Sequence, residues 1–395
     1  MDYKYIFEKH LAQSSSFFAT GLDIDYAEGI YIFDKKGKQY TDLISGVAVN
    51  NLGHRHPVII EAIEKQLKRY LHLMVYGEFP QKESIELVAY LKDILPPELS
   101  VTFLVNSGSE AIEGAMKLSR LFTGRKEIIS FKGSYHGSTL GALNLLGDEH
   151  YKRPFRPLIP FVRALDYNDM SQLNLITEQT ACVIMEPVQT ASGMVLAEED
   201  FFKKLRQKCT ETGTLLVFDE IQTALGRTGK LFAFQTFGIQ PDVLCLAKSL
   251  GGGLPVGAFI SSPQIMKALN NGHPLLGHAT TFGGHPLCCA TALATIKFLK
   301  ESSIVQEVLD KEALFRKHLR HKMIKKIDGK GLLLACDLGD ERLCRQFVER
   351  AFAKGLITYW FLFNKNAFGI LPPLIITKTE IEKACRIIIE ILDEL

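Results

Sequence analysis

Lys248 ends an apolar run, residues 243–247, and is followed by Ser249, Leu250 and three consecutive glycines, Gly251 to Gly253. A lysine ordinarily carries its ammonium out to water. Held dry at a strand end, the amine gives up its proton more readily and becomes a nucleophile for an aldehyde. The glycines allow another group to come close to the backbone. A second apolar run, 214–218, delivers Asp219 and Glu220, with Ile221 and Gln222 behind them. A carboxylate so placed is costly unless it meets a lysine, an arginine, a metal or a protonated ring nitrogen, and by itself a structural ion pair would satisfy it. A third segment, Asn106-Ser107-Gly108-Ser109-Glu110, passes from a strand through small residues into a helix. It aims amide N–H groups and the positive end of a helix dipole at one point, where a phosphate would sit, although a serine N-cap beside a glycine turn is an equal reading of this segment alone.

Together the three describe the needs of pyridoxal phosphate: one anchors the phosphate, one pairs with the pyridinium nitrogen, one binds the aldehyde. The elements that must position them follow from periodicity. Short apolar runs at 101–105, 127–131, 181–185, 214–218, 243–247 and 258–261 read as strands, several of them buried. Between them, 83–95, 109–122 and 199–213 carry apolar residues at helical spacing, with Gly213 as a C-cap. This alternation predicts a mostly parallel sheet with crossover helices, whose ligand sites lie at the carboxyl ends of the strands. From Pro286 the pattern turns helical through 287–301 and 303–323, where we expect a domain change, and a closing helix with a capping box of Thr379 and Glu382 ends the chain.

The chain resembles the class-III aminotransferases, the ornithine, acetylornithine and 4-aminobutyrate group. The likeness runs along essentially the whole sequence through Gly53-His54-Arg55-His56-Pro57, the 106–111 segment, Ser134-Tyr135-His136-Gly137, Glu186-Pro187, Asp219-Glu220-Ile221-Gln222, Ala247-Lys248 and the 280–286 segment. The resemblance implies an α/β, fold-type-I transferase. It has a large domain (51–290) with a mostly parallel seven-stranded sheet flanked by helices, a small α+β domain (291–395), and an N-terminal segment (1–50) packing with the small one. It further implies that Lys248 holds the cofactor and that Asp219 pairs with the ring nitrogen. Gln222 would lie near the phenolic oxygen, and Ser107, Gly108 and Ser109 at the phosphate. Tyr135 and Ile221 would flank the ring, with His136 and Glu186 among the cofactor contacts. Thr281 would reach the phosphate of a neighbouring subunit in a homodimer with shared active sites.

Two departures bear on the substrate. Relatives carry an Arg before a double proline that grips a carboxylate, where this chain has Gly369 ahead of Pro372-Pro373. Relatives using ornithine or 4-aminobutyrate also carry a Glu five residues after Glu186, where this chain has Ala191. Both halves of that pair are absent, Val47 replaces a Tyr of the ornithine enzymes, and Ser138 stands where many relatives have Arg. Lys365 is the substitute anchor this reading offers, and an apolar or longer amino substrate follows.

The expected activity is transfer of an amino group from an ω-amino or N-acylated diamino acid, ornithine-like or acetylornithine-like, to 2-oxoglutarate or pyruvate by ping-pong steps. An aminomutase or decarboxylase using the same cofactor is the second reading, separated by dependence on an external acceptor, and a non-catalytic binding protein is the third. With 46 Lys and Arg against 44 Asp and Glu, the 395-residue chain has a formal charge of only +2, which argues against a nucleic-acid or membrane-surface role. Eight Cys, scattered but for Cys288-Cys289, suit a reducing compartment, and the absence of a leader or long apolar span completes the expectation of a cytoplasmic enzyme. Gly226-Arg227-Thr228-Gly229-Lys230 lacks the Gly and the Ser or Thr of a phosphate-binding P-loop, and His54 and His56 lack companions for a metal, so we expect no metal site.

Overall fold

The computed structural model describes residues 3–12, 22–270 and 277–395. Seven strands form the central sheet: β1 Val101–Val105, β2 Glu127–Phe131, β3 Val162–Leu165, β4 Thr180–Met185, β5 Leu215–Asp219, β6 Val243–Leu246 and β7 Gly257–Ser261. Their order is β1-β7-β6-β5-β4-β2-β3, and only β7 runs against its neighbours. β4 to β7 are buried along their whole length, as strands covered on both faces must be, and this is why they read as unbroken apolar runs.

The sequence pattern missed β3. It is an edge strand, half-exposed, whose Arg163 pairs with Glu127 at 2.8 Å, so it has no uninterrupted apolar run to announce it. The bounds of β5 also shift: Asp219 belongs to the ladder, opposite Cys245 of β6. That register sets Asp219 and Lys248, three residues past Cys245, at neighbouring strand ends.

Helices pack on the sheet where their apolar faces dictate. Gly108–Thr123 buries Ala111, Ile112, Ala115, Met116 and Leu118, and stops at Gly124, whose φ of 69° suits the left-handed C-cap. Glu199–Thr212 ends the same way at Gly213. Pro286–Glu301 runs along Pro57–Leu67 and Lys82–Ile94. The helix expected over 303–323 is confined to Val308–His318, because Ser303 turns its hydroxyl to the Glu307 carboxylate (2.6 Å) and Leu319 leaves helical geometry.

Both ends of the chain build the smaller α+β part. Ile24–Glu28, Tyr31–Asp34 and Gln39–Asp42 form an antiparallel meander to whose last strand Leu356–Ile357 adds in parallel, while Lys326–Gly329, Leu334–Asp337 and Ala367–Ile370 form a three-stranded antiparallel sheet. The closing helix, Lys378–Asp393, is capped by Thr377 with Glu380, two residues before the box expected from Thr379 and Glu382. Both pairs fit the motif. The earlier one wins because it puts buried Ile376 and Ile381 at the two positions of a hydrophobic staple.

Candidate active site

A cleft of about 430 Å³ opens at the carboxyl ends of β1, β2, β4, β5 and β6. Each strand delivers its chemistry in the few residues after it leaves the ladder.

From β1 come Asn106 to Ser109. Ser107 caps the Gly108–Thr123 helix by accepting from the Glu110 amide (3.2 Å). The amides of Gly108 and Ser109 are left outside the helical ladder at the positive end of its dipole. Gly108 is required there: a Cβ would lie 2.7 Å from Cδ1 of Ile221. Ser109 Oγ accepts from the Ser138 amide at 3.3 Å, tying this turn to the segment after β2.

From β5 comes Asp219, buried, whose Oδ2 meets His136 Nδ1 at 2.7 Å and whose Oδ1 accepts from the Ile221 amide at 3.0 Å. Burial alone would depress the His136 imidazole, yet the Asp219 carboxylate and, further off, Glu186 lift it above its usual range. The ring is held against Asp219 through Nδ1, and its Nε2, also buried, has no partner. The family resemblance implies only a cofactor contact for His136; in the structure it is first the group that orients Asp219.

From β4 comes Glu186, which accepts from the amides of Tyr135 (2.9 Å) and Thr190 (3.2 Å) and from the Thr190 hydroxyl (3.0 Å). Burial, and then the charge of Asp219, push its carboxyl upward against the opposing pull of His136. The Thr190 hydroxyl also lies 3.1 Å from Gln222 Oε1.

From β6 comes Lys248, whose Nζ donates to Gln222 Oε1 at 2.7 Å. Burial lowers its ammonium below the usual range, although Asp219 and Glu186 draw it back. Its backbone φ is 47°, a left-handed conformation disfavoured for a residue with a Cβ, and costs of order 1 kcal/mol collect where function requires them. Tyr135, exposed, places its hydroxyl 2.9 Å from Ser138 Oγ and lines the cleft together with Ile221.

These residues fit a phosphorylated pyridine aldehyde. Free amides and a glycine-lined turn suit the phosphate, a tyrosine and an isoleucine can sandwich a flat ring, a buried acid can hold a protonated ring nitrogen, and a dried amine stands at the same cleft. The partnerless Nε2 of buried His136, a residue of the cleft, is a polar atom left for a bound group to satisfy.

The substrate end agrees less with expectation. Val47 does not line the cleft. Residues Ser45, Val47 and Ala48, with Gly46, all have φ between 50 and 62 or 63°, a left-handed turn that sends Val47 to the surface and brings Val49 to the cleft instead. Lys365 is no anchor in this chain's cleft: its Nζ faces Glu341 at 3.6 Å on the surface. Ala191 accepts from the Phe363 amide, and Gly369 is buried in Ala367–Ile370. Thr281 lies outside its own chain's cleft, 3.4 Å from the Tyr76 hydroxyl, while neighbouring Thr280 accepts from Asn106 Nδ2. Sequence reasoning missed Thr190 and Val49. Only Thr190, a hydroxyl four residues after a buried carboxylate, carried a readable signal.

The remaining motifs are structural. His54 Nε2 bonds Asp42 at 2.8 Å, and His56 packs edge-on against Phe298. Arg227, of the P-loop-like segment, is fully buried and clasps Asn51 Oδ1 (2.7 Å) and Pro372 O (2.5 Å), stitching the two parts of the molecule together.

Comparison with known proteins agrees with this geometry. A family model described as Aminotransferase class-III matches residues 13–392. The acetylornithine aminotransferase of Methanopyrus kandleri is 36% identical, over 97% of this chain and 97% of its own. The LysW-aminoadipate semialdehyde/glutamate semialdehyde transaminase of Sulfurisphaera tokodaii is 41% identical, over 80% of this chain and 82% of its own. Among solved structures, an amine transaminase from an uncultivated Pseudomonas species in a PLP-bound form is 25% identical, with a TM-score of 0.89 over 98% of each chain.

Proposed function

The chain belongs to the class-III aminotransferases, which use pyridoxal phosphate, and from that premise we propose that it moves an amino group from a donor of the ω-amino or N-acylated diamino acid class to a 2-oxo acid, 2-oxoglutarate or pyruvate, in two half-reactions. When bound, the cofactor supplies an aldehyde carbon to carry nitrogen and a protonated ring to draw electrons. The chain's own residues do the rest. Gly108 and Ser109 bind the phosphate through their amides, with Ser107 fixing the turn. Tyr135 and Ile221 keep the ring flat between them. Asp219 would hold the proton at the ring nitrogen, and His136 keeps Asp219 aimed. Lys248 would hold the aldehyde carbon of the cofactor and, once freed, its amine would move a proton to and from the substrate carbon; its lowered basicity in the dry site suits that role. Gln222 accepts from the Lys248 amine and is itself tied to Thr190, which positions that amine in the cleft.

The observation that carries this reading is the meeting of a burial-weakened lysine and a histidine-braced aspartate at adjacent strand ends of one cleft. Replacing Lys248 with Ala should abolish turnover, by at least about 10⁴-fold, while leaving the fold intact by circular dichroism. Retention of the wild-type visible absorbance by that variant would contradict the assignment.

We read the working unit as a homodimer in which Thr281 serves the partner's phosphate. In support, Thr281 stands away from its own cleft, with exposed Tyr76 beside it, and the large apolar side chains of Leu71, Leu73, Met74, Phe79 and Phe282 are exposed as well. Light scattering that gave a monomer at micromolar concentration would refute it. A cytoplasmic location is supported by eight free, buried cysteines; no helix among the described residues is long and apolar enough to cross a membrane.

A further inference from the structure

Glu186, Thr190, Gln222 and Lys248 all line the cleft and touch one another in that order. Glu186, Thr190 and Gln222 are buried, so each polar atom must find its partner among the others. The Thr190 hydroxyl lies 3.0 Å from Glu186 Oε2 and 3.1 Å from Gln222 Oε1. It has one hydrogen, and with Glu186 ionised both of those oxygens can only accept. One of the two contacts would then set lone pair against lone pair. Turning the Gln222 amide round is no remedy. Oε1 takes a hydrogen from Lys248 Nζ at 2.7 Å, and the amide nitrogen in its place would set donor against donor.

A proton on Glu186 Oε2 resolves the count. The carboxyl then donates to Thr190 Oγ, the Thr190 hydroxyl passes its own hydrogen to Gln222 Oε1, and that oxygen takes both this hydrogen and the one from Lys248 on its two lone pairs. Glu186 Oε1 keeps the Tyr135 amide at 2.9 Å. The surroundings favour the proton: burial, and then the charge of Asp219, push the Glu186 carboxyl upward against the pull of His136. Tyr167, whose hydroxyl donates to the Glu186 carbonyl at 3.2 Å, is kept neutral by its own burial. At the far end, the Lys248 amine feels Asp219 and Arg227 besides Glu186. With Glu186 neutral, Asp219 is the carboxylate left to face both His136 and Lys248.

Resting on the aminotransferase reading for the task of the Lys248 amine, we propose that Glu186 works as a neutral acid donating to Thr190, and that Thr190 is a positioning residue whose hydroxyl turns that donation onto Gln222 and so fixes the Gln222 oxygen on Lys248. Loss of the hydroxyl leaves the Glu186 proton without an acceptor and frees the Gln222 amide to swing away from the amine.

Infrared spectroscopy of the cofactor-loaded full chain tests this, with the Glu186 signal taken as the difference between each protein and the same protein carrying Glu186→Gln. At pH 7 the wild type should show the C=O stretch of a protonated carboxyl. Thr190→Val keeps the shape and removes the acceptor, so this band should move to higher frequency and the midpoint of its loss should fall by about one pH unit. Thr190→Ser keeps the hydroxyl and should restore both. The opposite arrangement, Thr190 donating to an ionised Glu186, would raise the midpoint in Thr190→Val, because a carboxylate would lose its donor. Conversion of the cofactor by a saturating amine should slow about tenfold in Thr190→Val and recover in Thr190→Ser. A carboxylate signal from the wild type at pH 7, a midpoint that rises or stays in Thr190→Val, or a serine variant that behaves like the valine one overturns the inference. The aminotransferase reading fails separately, if no amine in a broad panel converts the loaded cofactor of the wild type, whatever the Glu186 bands show.

Discussion

The cofactor end and the substrate end of the cleft are built in opposite ways. At the cofactor end, each functional side chain lies within a few residues of a buried strand: Ser107 to Ser109 after β1, Asp219 to Gln222 at the end of β5, Lys248 after β6. Direction and depth are fixed by the ladder. At the substrate end, a left-handed turn at 45–48, the loop after Glu186 and the 358–369 segment meet across more than three hundred positions of sequence, through backbone bonds and the volumes of small residues. Chemistry that must not move is attached to strands, while the substrate end is assembled from loops and can change without disturbing it.

Single substitutions should expose that contrast. Asp219→Asn, which keeps the shape but removes the charge, should cut kcat by roughly 10²- to 10⁴-fold, and should release the His136 imidazole, whose elevated titration, followed by NMR, should drop. An unaltered imidazole titration would separate the two residues and weaken the account of the cofactor end.

Glu220, next to Asp219 but aimed away at the amides of Ala233 (2.5 Å) and Phe234 (2.6 Å), provides a pH test. Burial raises its carboxyl from 4.5 to about 8. Between those values the folded chain keeps a proton that the unfolded chain releases. Its contribution to stability is therefore full at low pH and is lost as pH rises through that window, by up to about 1.4 kcal/mol per pH unit. Glu220→Gln should flatten this part of the stability profile in denaturant titrations; an unchanged slope would mean Glu220 is ionised in the native state.

Gly108→Ala tests the tightness of the phosphate turn. Its methyl would press on Ile221, and cofactor affinity should fall about tenfold, measured by equilibrium dialysis. At the other extreme, Lys365→Ala should change kcat/KM for any donor by about twofold or less, because that side chain is spent on Glu341 at the surface. A large loss there would restore Lys365 as an anchor and erase much of the distinction between the two ends.

Legibility in the sequence divides along the same line. Apolar runs ending in Asp219 and Lys248, and a small-residue turn entering a helix, were readable because function and strand end are adjacent. Six of the seven central strands were readable for the same reason, and β3 was not, since an edge strand with Arg163 facing out has no continuous apolar signal. The capping box slipped by two residues because Thr377 and Thr379 both satisfy the local rule, and only the packing of Ile376 on Ile381 decides between them. The changes at Ala191 and Gly369 could be noticed as departures from a family pattern. What filled the space they left could not: nothing local in Tyr359 says that its ring will lie over a glycine ten residues on. Val47 and Lys365 misled for the converse reason, since proximity in sequence to a motif does not fix which way a loop side chain turns.

The central claim is that the amine of Lys248, among all the lysines of the chain, is the one that carries the cofactor. Borohydride reduction of the loaded enzyme, followed by proteolysis and mass spectrometry, reads this directly. A phosphopyridoxyl group should appear on the peptide containing Lys248 and on no other. Label on a different lysine, or none at all on a protein that retains its cofactor, would contradict the account.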